Sequence, residues 1–164
     1  MKKFLKYAIF AALIVIADQI TKWLTVSNIA LYEDVPFLPG ILSLTYVRNI
    51  GAAFSALQGQ QWLFALVFAL FTVLVVWEYF KKPMPFTTAE RWLIAAIYGG
   101  GLGNMIDRVR LGYVIDMIQT DFIVFPVFNV ADCFITCGSI LLLVHLIFFN
   151  KQFGKDEKKN DPVS

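Results

Sequence analysis

Gly99-Gly-Gly-Leu-Gly-Asn-Met-Ile-Asp-Arg108, then Val114-Ile-Asp116 and Phe128-Asn-Val-Ala-Asp132, form the stretch on which the reading of the chain turns. With Asp121 it carries four of the 12 acidic residues of a 164-residue chain that is 59% hydrophobic and only 16% charged. Soluble domains carry about a quarter charged residues. A mean hydropathy of +0.68 and several long apolar runs therefore predict an integral membrane protein. A carboxylate beside lipid costs at least about 2.5 kcal/mol, so one that is kept there points to function.

Working outward, four apolar segments predict four transmembrane helices over residues 4–26, 62–80, 91–108 and 131–149. The basic start Met1–Lys6 resembles a signal peptide, but Asp18-Gln-Ile-Thr-Lys22 follows where small residues for cleavage would stand, so the first span is retained. The external segments, 27–61 and 109–130, carry β-branched and aromatic runs at Ile41–Val47, Tyr113–Ile118 and Phe122–Phe128. They predict a small sheet on the membrane and an apolar outer loop. Gly99 and Gly103 form a GxxxG pair that lets an unspecified helix approach closely. The tail from Lys151 to Ser164 reads as disordered, and the whole chain, 1–164, as one membrane domain. The class is thus a mainly α membrane protein.

Ten of the 14 Lys and Arg residues flank the N-terminus, the 81–91 turn and the tail. The positive-inside rule then puts both termini in the cytoplasm. Asp18, Asn49, Asn104, Arg108, Asp116 and Asp132 fall near the extracytoplasmic face. A net charge of +2, in short flanking clusters, gives no support for nucleic acid as a partner. Cys133 and Cys137 read as small packing residues, and one histidine, His145, excludes an HExxH metal site. His145 lies about 20 Å along the helix from Asp132, too far to serve it, and reads as a packing or interface residue. Glu78 reads as a solvated charge beside Lys81 and Lys82, Asp121 as a solvated loop residue.

Asp18 and Lys22, four apart on one helical face, form an internal ion pair. Two acids brought together where water is scarce cannot both ionise cheaply, so they share a proton. The charged member can then activate a water while the protonated one polarises a carbonyl, as in aspartic proteases. Asp132 is one such acid; Asp116 or Asp107 is the other. Asp107 neighbours Arg108 but points about 100° away from it, which suits a structural role. A cation carrier using Asp18, Asp107 and Asp132, or a hydrolase holding a hard cation on the same oxygens, uses these residues differently; clustering of the acids at one face favours a surface site over a carrier.

Asp18-Gln-x-x-Thr-Lys22, Arg48-Asn-x-Gly-Ala-Ala-Phe54, Gly103-Asn-x-x-Asp-Arg108, Val114-x-Asp116 and Phe128-Asn-x-Ala-Asp132 together resemble the lipoprotein (type II) signal peptidases of bacteria, in order and over nearly the whole chain. The resemblance implies a membrane aspartyl endopeptidase of the bacterial plasma (inner) membrane. Its substrates would be diacylglyceryl-modified prolipoproteins cut just before the lipidated cysteine, with no cofactor, no metal and no obligate protein partner. It implies Asp116 and Asp132 as the catalytic dyad. Asn49, Asn104, Arg108 and Asn129 would bind substrate or orient the dyad, with Asp18, Lys22 and Asp107 as structural polar residues. Ile115 and Met117 stand where the family often has Val and Phe, which bears on fine specificity.

Overall fold

A computed structural model describes residues 2–51, 59–80 and 84–150. Ala52 to Phe54 of the second motif, Lys81 and Lys82, and the charged tail lie outside the described residues. Four helices and three strands follow in the order α1 (Lys2–Asn28), β1 (Asp34–Leu38), β2 (Leu42–Asn49), α2 (Gln61–Phe80), α3 (Thr88–Leu111), β3 (Val114–Thr120) and α4 (Val130–Phe148).

Among the described residues, three helical stretches are long and apolar enough to cross a membrane: Phe4–Asn28, Gln61–Glu78 and Val130–Phe148. Their outward faces are lined with exposed Leu, Ile, Val and Trp, as lipid-facing surfaces require. The expected third span, α3, has the length, 24 residues or about 36 Å, but not the apolarity. It carries Glu90, Arg91, Asn104, Asp107, Arg108 and Arg110, and it is the central helix, packing against α1, α2 and α4. Neighbouring protein, rather than lipid, covers most of its polar side chains.

Three consecutive glycines make that centrality possible, each facing a different neighbour. A Cβ on Gly99 would lie 2.8 Å from the Ala11 carbonyl oxygen of α1, one on Gly100 2.6 Å from the Ala131 carbonyl oxygen of α4, and one on Gly101 2.9 Å from the Phe68 ring of α2. The GxxxG partner is therefore α1, since Gly103 abuts Asp18 of the same helix. At Gly100 the obstacle is backbone, which cannot swing aside. Gly100→Ala is expected to force α3 and α4 apart at a cost of about 1–3 kcal/mol, a fall of roughly 3–10 °C in the melting midpoint in detergent. An unchanged midpoint would contradict the close crossing.

The strands form one antiparallel sheet in the order β1-β2-β3. Pro36, which lacks an N–H, sits on the edge strand β1, where a missing donor is tolerated. Side chains of β3 alternate between faces. Ile115 and Met117 pack with Tyr46 into a small core, while Val114 and Asp116 turn to the opposite face and line a cavity. The run Phe122–Phe128 is not a strand: beyond β3 only Phe128 bridges back, to Ile118. Its apolarity belongs to an exposed surface, with Phe122 63% and Val124 fully exposed, and Pro126 interrupts any ladder.

At the end of the bundle opposite the sheet, one sequence reading is corrected and another gains detail. Glu78 is buried, with Oε1 2.6 Å from Nη1 of Arg91 on α3, and it accepts the Met84 N–H. Its two carboxylate oxygens are thus met by a cation and a backbone N–H, as a buried charge requires. His145, read as a packing or interface residue, has a charged partner: its Nδ1 lies 2.8 Å from Oε1 of the fully buried Glu90, which also accepts from Asn150 Nδ2 at 2.8 Å. Thr87 and Glu90 form a capping box at the start of α3, a Thr-x-x-Glu signal legible at positions 87–90.

Candidate active site

Four separate elements deliver the polar side chains that meet between the sheet and the helix ends. Asp116 comes from β3, Asn49 from β2, Asn104 and Arg108 from α3, and Asn129 and Asp132 from the start of α4. The register pairs Asn49 with Val114, which places Asn49 diagonal to Asp116 on the same sheet face. From there Asn49 Nδ2 donates to Asp116 Oδ2 at 2.8 Å. Asn104 and Arg108, four apart, share one face of α3.

The fourth helix opens with a second capping box. Asn129 Oδ1 accepts the Asp132 N–H at 2.9 Å, and Asp132 Oδ2 accepts the Asn129 N–H at 3.2 Å. This arrangement satisfies two donors that a helix start leaves free. It also commits the Asn129 amide, because with Oδ1 on the helix its NH2 must point away. That NH2 donates to Asp116 Oδ1 at 2.6 Å. Asn104 Nδ2 donates to Asp132 Oδ1 at 2.7 Å. Each of the four carboxylate oxygens thus receives an N–H, and Asn129 touches both acids.

Asp116 is 1% exposed. Burial disfavours its charged form and, reinforced by the nearby Asp132 charge, outweighs the hydrogen bonds from Asn49 and Asn129; its pKa is pushed up from 3.8 to about 7. Both acids open onto a cavity of about 320 Å³, with Asn49, Asn104, Arg108 and Cys137 in its wall. Arg108 sits with its guanidinium carbon 4.3 Å from the Phe64 ring centroid and donates to Gly51 O at 3.1 Å. Among the described residues its buried Nε has no acceptor.

Asp107 does not join this pair. Its Oδ2 lies 2.9 Å from Lys22 Nζ and accepts the Ile115 N–H at 3.1 Å, while Oδ1 accepts from Gln19 at 2.9 Å. Lys22, 1% exposed, also lies 2.8 Å from Asp18 Oδ2, whose Oδ1 accepts the Ala131 N–H at 3.0 Å. Asp121, read as solvated, is exposed but accepts from Ser43 Oγ at 2.9 Å. Cys133 and Cys137 are free, and both line the cavity. No group of three His, Cys, Asp or Glu among the described residues is placed to hold a metal ion. Sequence reasoning missed the capping role of Asn129, although Asn-x-x-Asp at a helix start was there to read.

Comparisons with known proteins agree with this architecture. Residues 10–148 match the family described as signal peptidase (SPase) II. A lipoprotein signal peptidase of Streptococcus pyogenes serotype M1 is 50% identical over 149 residues, covering 89% of this chain and 95% of that protein. One from Enterococcus faecalis is 43% identical over 148 residues, 88% of this chain and 89% of its own length. Among solved structures, one bacterial membrane enzyme determined in meso superposes with a TM-score of 0.80 at 29% identity, covering 97% of this chain and 93% of that one. A second gives 0.78 at 31% identity over 88% and 94% of the two chains. This chain, with its helical membrane fold and its paired aspartates facing one cavity, belongs to the signal peptidase II family of proteases.

Proposed function

We propose that the protein removes the signal peptide from diacylglyceryl-modified prolipoproteins, cutting just before the lipidated cysteine, with Asp116 and Asp132 as the catalytic dyad. The observation that carries this reading is the pair of carboxylates in one cavity, tied together by Asn129, which donates to an oxygen of each. One acid holds a proton and one is ionised. The ionised carboxylate takes a proton from water as the water oxygen bonds to the scissile carbonyl carbon. The protonated acid gives its proton to the carbonyl oxygen, forming a neutral tetrahedral diol. As the C–N bond breaks, the acid that took the water's proton passes it to the amide nitrogen, which leaves as the amine. A diol hydroxyl gives its proton to the other, now ionised, carboxylate, leaving a carboxylic acid product and the dyad with one proton. No covalent enzyme intermediate forms.

Asn49, Asn104 and Asn129 orient the dyad in this scheme, and Arg108 reaches the substrate backbone from the cavity wall. Asp18 and Asp107, engaged by Lys22, hold α1 against α3. The protein sits in the bacterial plasma membrane with both termini cytoplasmic and the cavity at the extracytoplasmic face, in keeping with the basic residues that flank the opposite end. There the acyl chains of the substrate, sunk in the outer leaflet, hold the scissile bond at the depth of the dyad and turn a bimolecular search into an oriented encounter. The outer segment 109–128 is the gate in this scheme, and its residues Phe125–Phe128 border the cavity.

A cleavage assay on paired precursors tests this function. The diacylglyceryl-modified precursor is expected to be cut at least about 100-fold faster, in kcat/KM, than the same precursor with an unmodified cysteine, because only the former is delivered at membrane depth. Equal rates would mean that the lipid plays no part in recognition.

A further inference from the structure

We propose that Lys22 is a positioning residue for the dyad, fixing the side-chain amide of Asn104 so that its NH2 faces Asp132. The inference rests on the dyad reading above. An ammonium carries three donors and no acceptor, so only an amide oxygen can face it. Lys22 Nζ donates to Asn104 Oδ1 at 2.8 Å, its two other contacts being Asp18 Oδ2 at 2.8 Å and Asp107 Oδ2 at 2.9 Å. These three acceptors match its three N–H bonds. With Oδ1 held by Lys22, Asn104 Nδ2 has one direction left, and it lies 2.7 Å from Asp132 Oδ1.

The same oxygen anchors the second acid. Asn104 Oδ1 also accepts from Asn129 Nδ2 at 3.1 Å, the group that donates to Asp116 Oδ1 at 2.6 Å. Thus a cation buried on α1, which contacts neither carboxylate of the dyad directly, orients donors onto both. Without it the Asn104 amide is free to turn over. That flip would set an oxygen against Asp132, where charge repels, and would deprive Asn129 of an acceptor. Asp18 and Asp107 then have a second role: they hold Lys22 in a site from which a lone ammonium would be expelled. A residue that only joined helices would need no such aim at an asparagine oxygen.

The test must separate positioning from folding. Lys22→Met alone leaves two buried carboxylates without a counter-charge, so it is combined with Asp18→Asn, which keeps the net charge of the cluster unchanged. Per folded enzyme, the double variant is expected to lower kcat about 10- to 100-fold with KM within about twofold, as loss of a supporting hydrogen bond does elsewhere. Lys22→Gln in the same Asp18→Asn background restores a donor and recovers part of the rate. Asn104→Ala, costly in the native protein, adds less than about threefold to the double variant, because both act through one amide. A purely structural Lys22 would instead lower the melting midpoint, leave kcat per folded enzyme intact, and give losses that multiply.

Asn104→Asp tests the relay with Lys22, Asp18 and Asp107 all in place: it keeps an oxygen for Lys22 but sets a second oxygen at Asp132. It is expected to lose as much kcat as Asn104→Ala. Full kcat in Asn104→Asp, or in the folded double variant, overturns the proposal. Asp132→Asn run in parallel keeps the two readings apart. If Asp132→Asn still turns over, the dyad itself is wrong; if it is inactive while the double variant is fully active, only the role of Lys22 falls.

Discussion

Asp116→Asn and Asp132→Asn are each expected to lower turnover of lipidated precursor by at least about 10³-fold, within the range that general acid–base groups supply. The two substitutions fail for complementary reasons. An amide cannot take a proton from water, and it cannot pass one to a carbonyl oxygen, so either change removes one half of a two-proton exchange. The loss should appear in kcat, since neither carboxylate is needed to hold acyl chains in the membrane. Folding should survive, because asparagine matches aspartate in size. The cost is one reversed contact, in which the new NH2 meets a donor from Asn49 or Asn129 at position 116, or from Asn104 or the Asn129 backbone N–H at position 132. That mismatch is worth about 1–3 kcal/mol and is offset at position 116 by relief from burying a charge. A folded Asp116→Asn or Asp132→Asn protein with near-native turnover would end the dyad reading.

The second large effect is on pH. With the Asp116 carboxyl raised to about 7, chiefly by burial, the pair loses its last proton near neutrality. Activity then requires one proton on the pair: too much acid leaves no base, and too much alkali leaves no acid. The rate profile is expected to fall on its alkaline side with an apparent pKa near 7, a property of the pair rather than of one residue. Stability follows with a definite sign. A folded-state pKa above the unfolded 3.8 means that the folded chain binds the proton more tightly. The contribution of Asp116 is full below pH 3.8, declines as pH rises to about 7, and is flat beyond. Within that window its slope approaches about 1.4 kcal/mol per pH unit. Asp116→Asn should remove this component, so that the difference between native and variant melting curves changes with pH in that window and is constant above it.

Much of the architecture could be read from residue order because the physics acting there is local. Apolar runs marked the four helices, although α3 is more polar than a span by composition, and the β-branched runs around Leu44 and Ile115 marked two of the three strands. What escaped depended on contacts between distant segments. Gly99 and Gly103 announced a close crossing but not that α1 was the partner, and nothing in the motif divides Gly99, Gly100 and Gly101 among three helices. Phe122–Phe128 reads as a strand because an exposed apolar loop and a half-buried strand share a composition; pairing, absent there but for Phe128, distinguishes them. Glu78 looked solvated because Arg91, 13 positions on, comes beside it only after the chain reverses. The link from Asn129 to Asp116 likewise needs a loop folded back on a helix start, although the Asn129–Asp132 cap was within reach of a local rule.

Infrared titration of the carboxyl C=O stretch tests the shared proton most directly. In the native protein reconstituted in lipid, a protonated-carboxyl band is expected at pH 6 that disappears with a midpoint near 7 and is missing from Asp116→Asn at the same pH. A native spectrum without that band at pH 6, or a band titrating unchanged in Asp116→Asn, would contradict it.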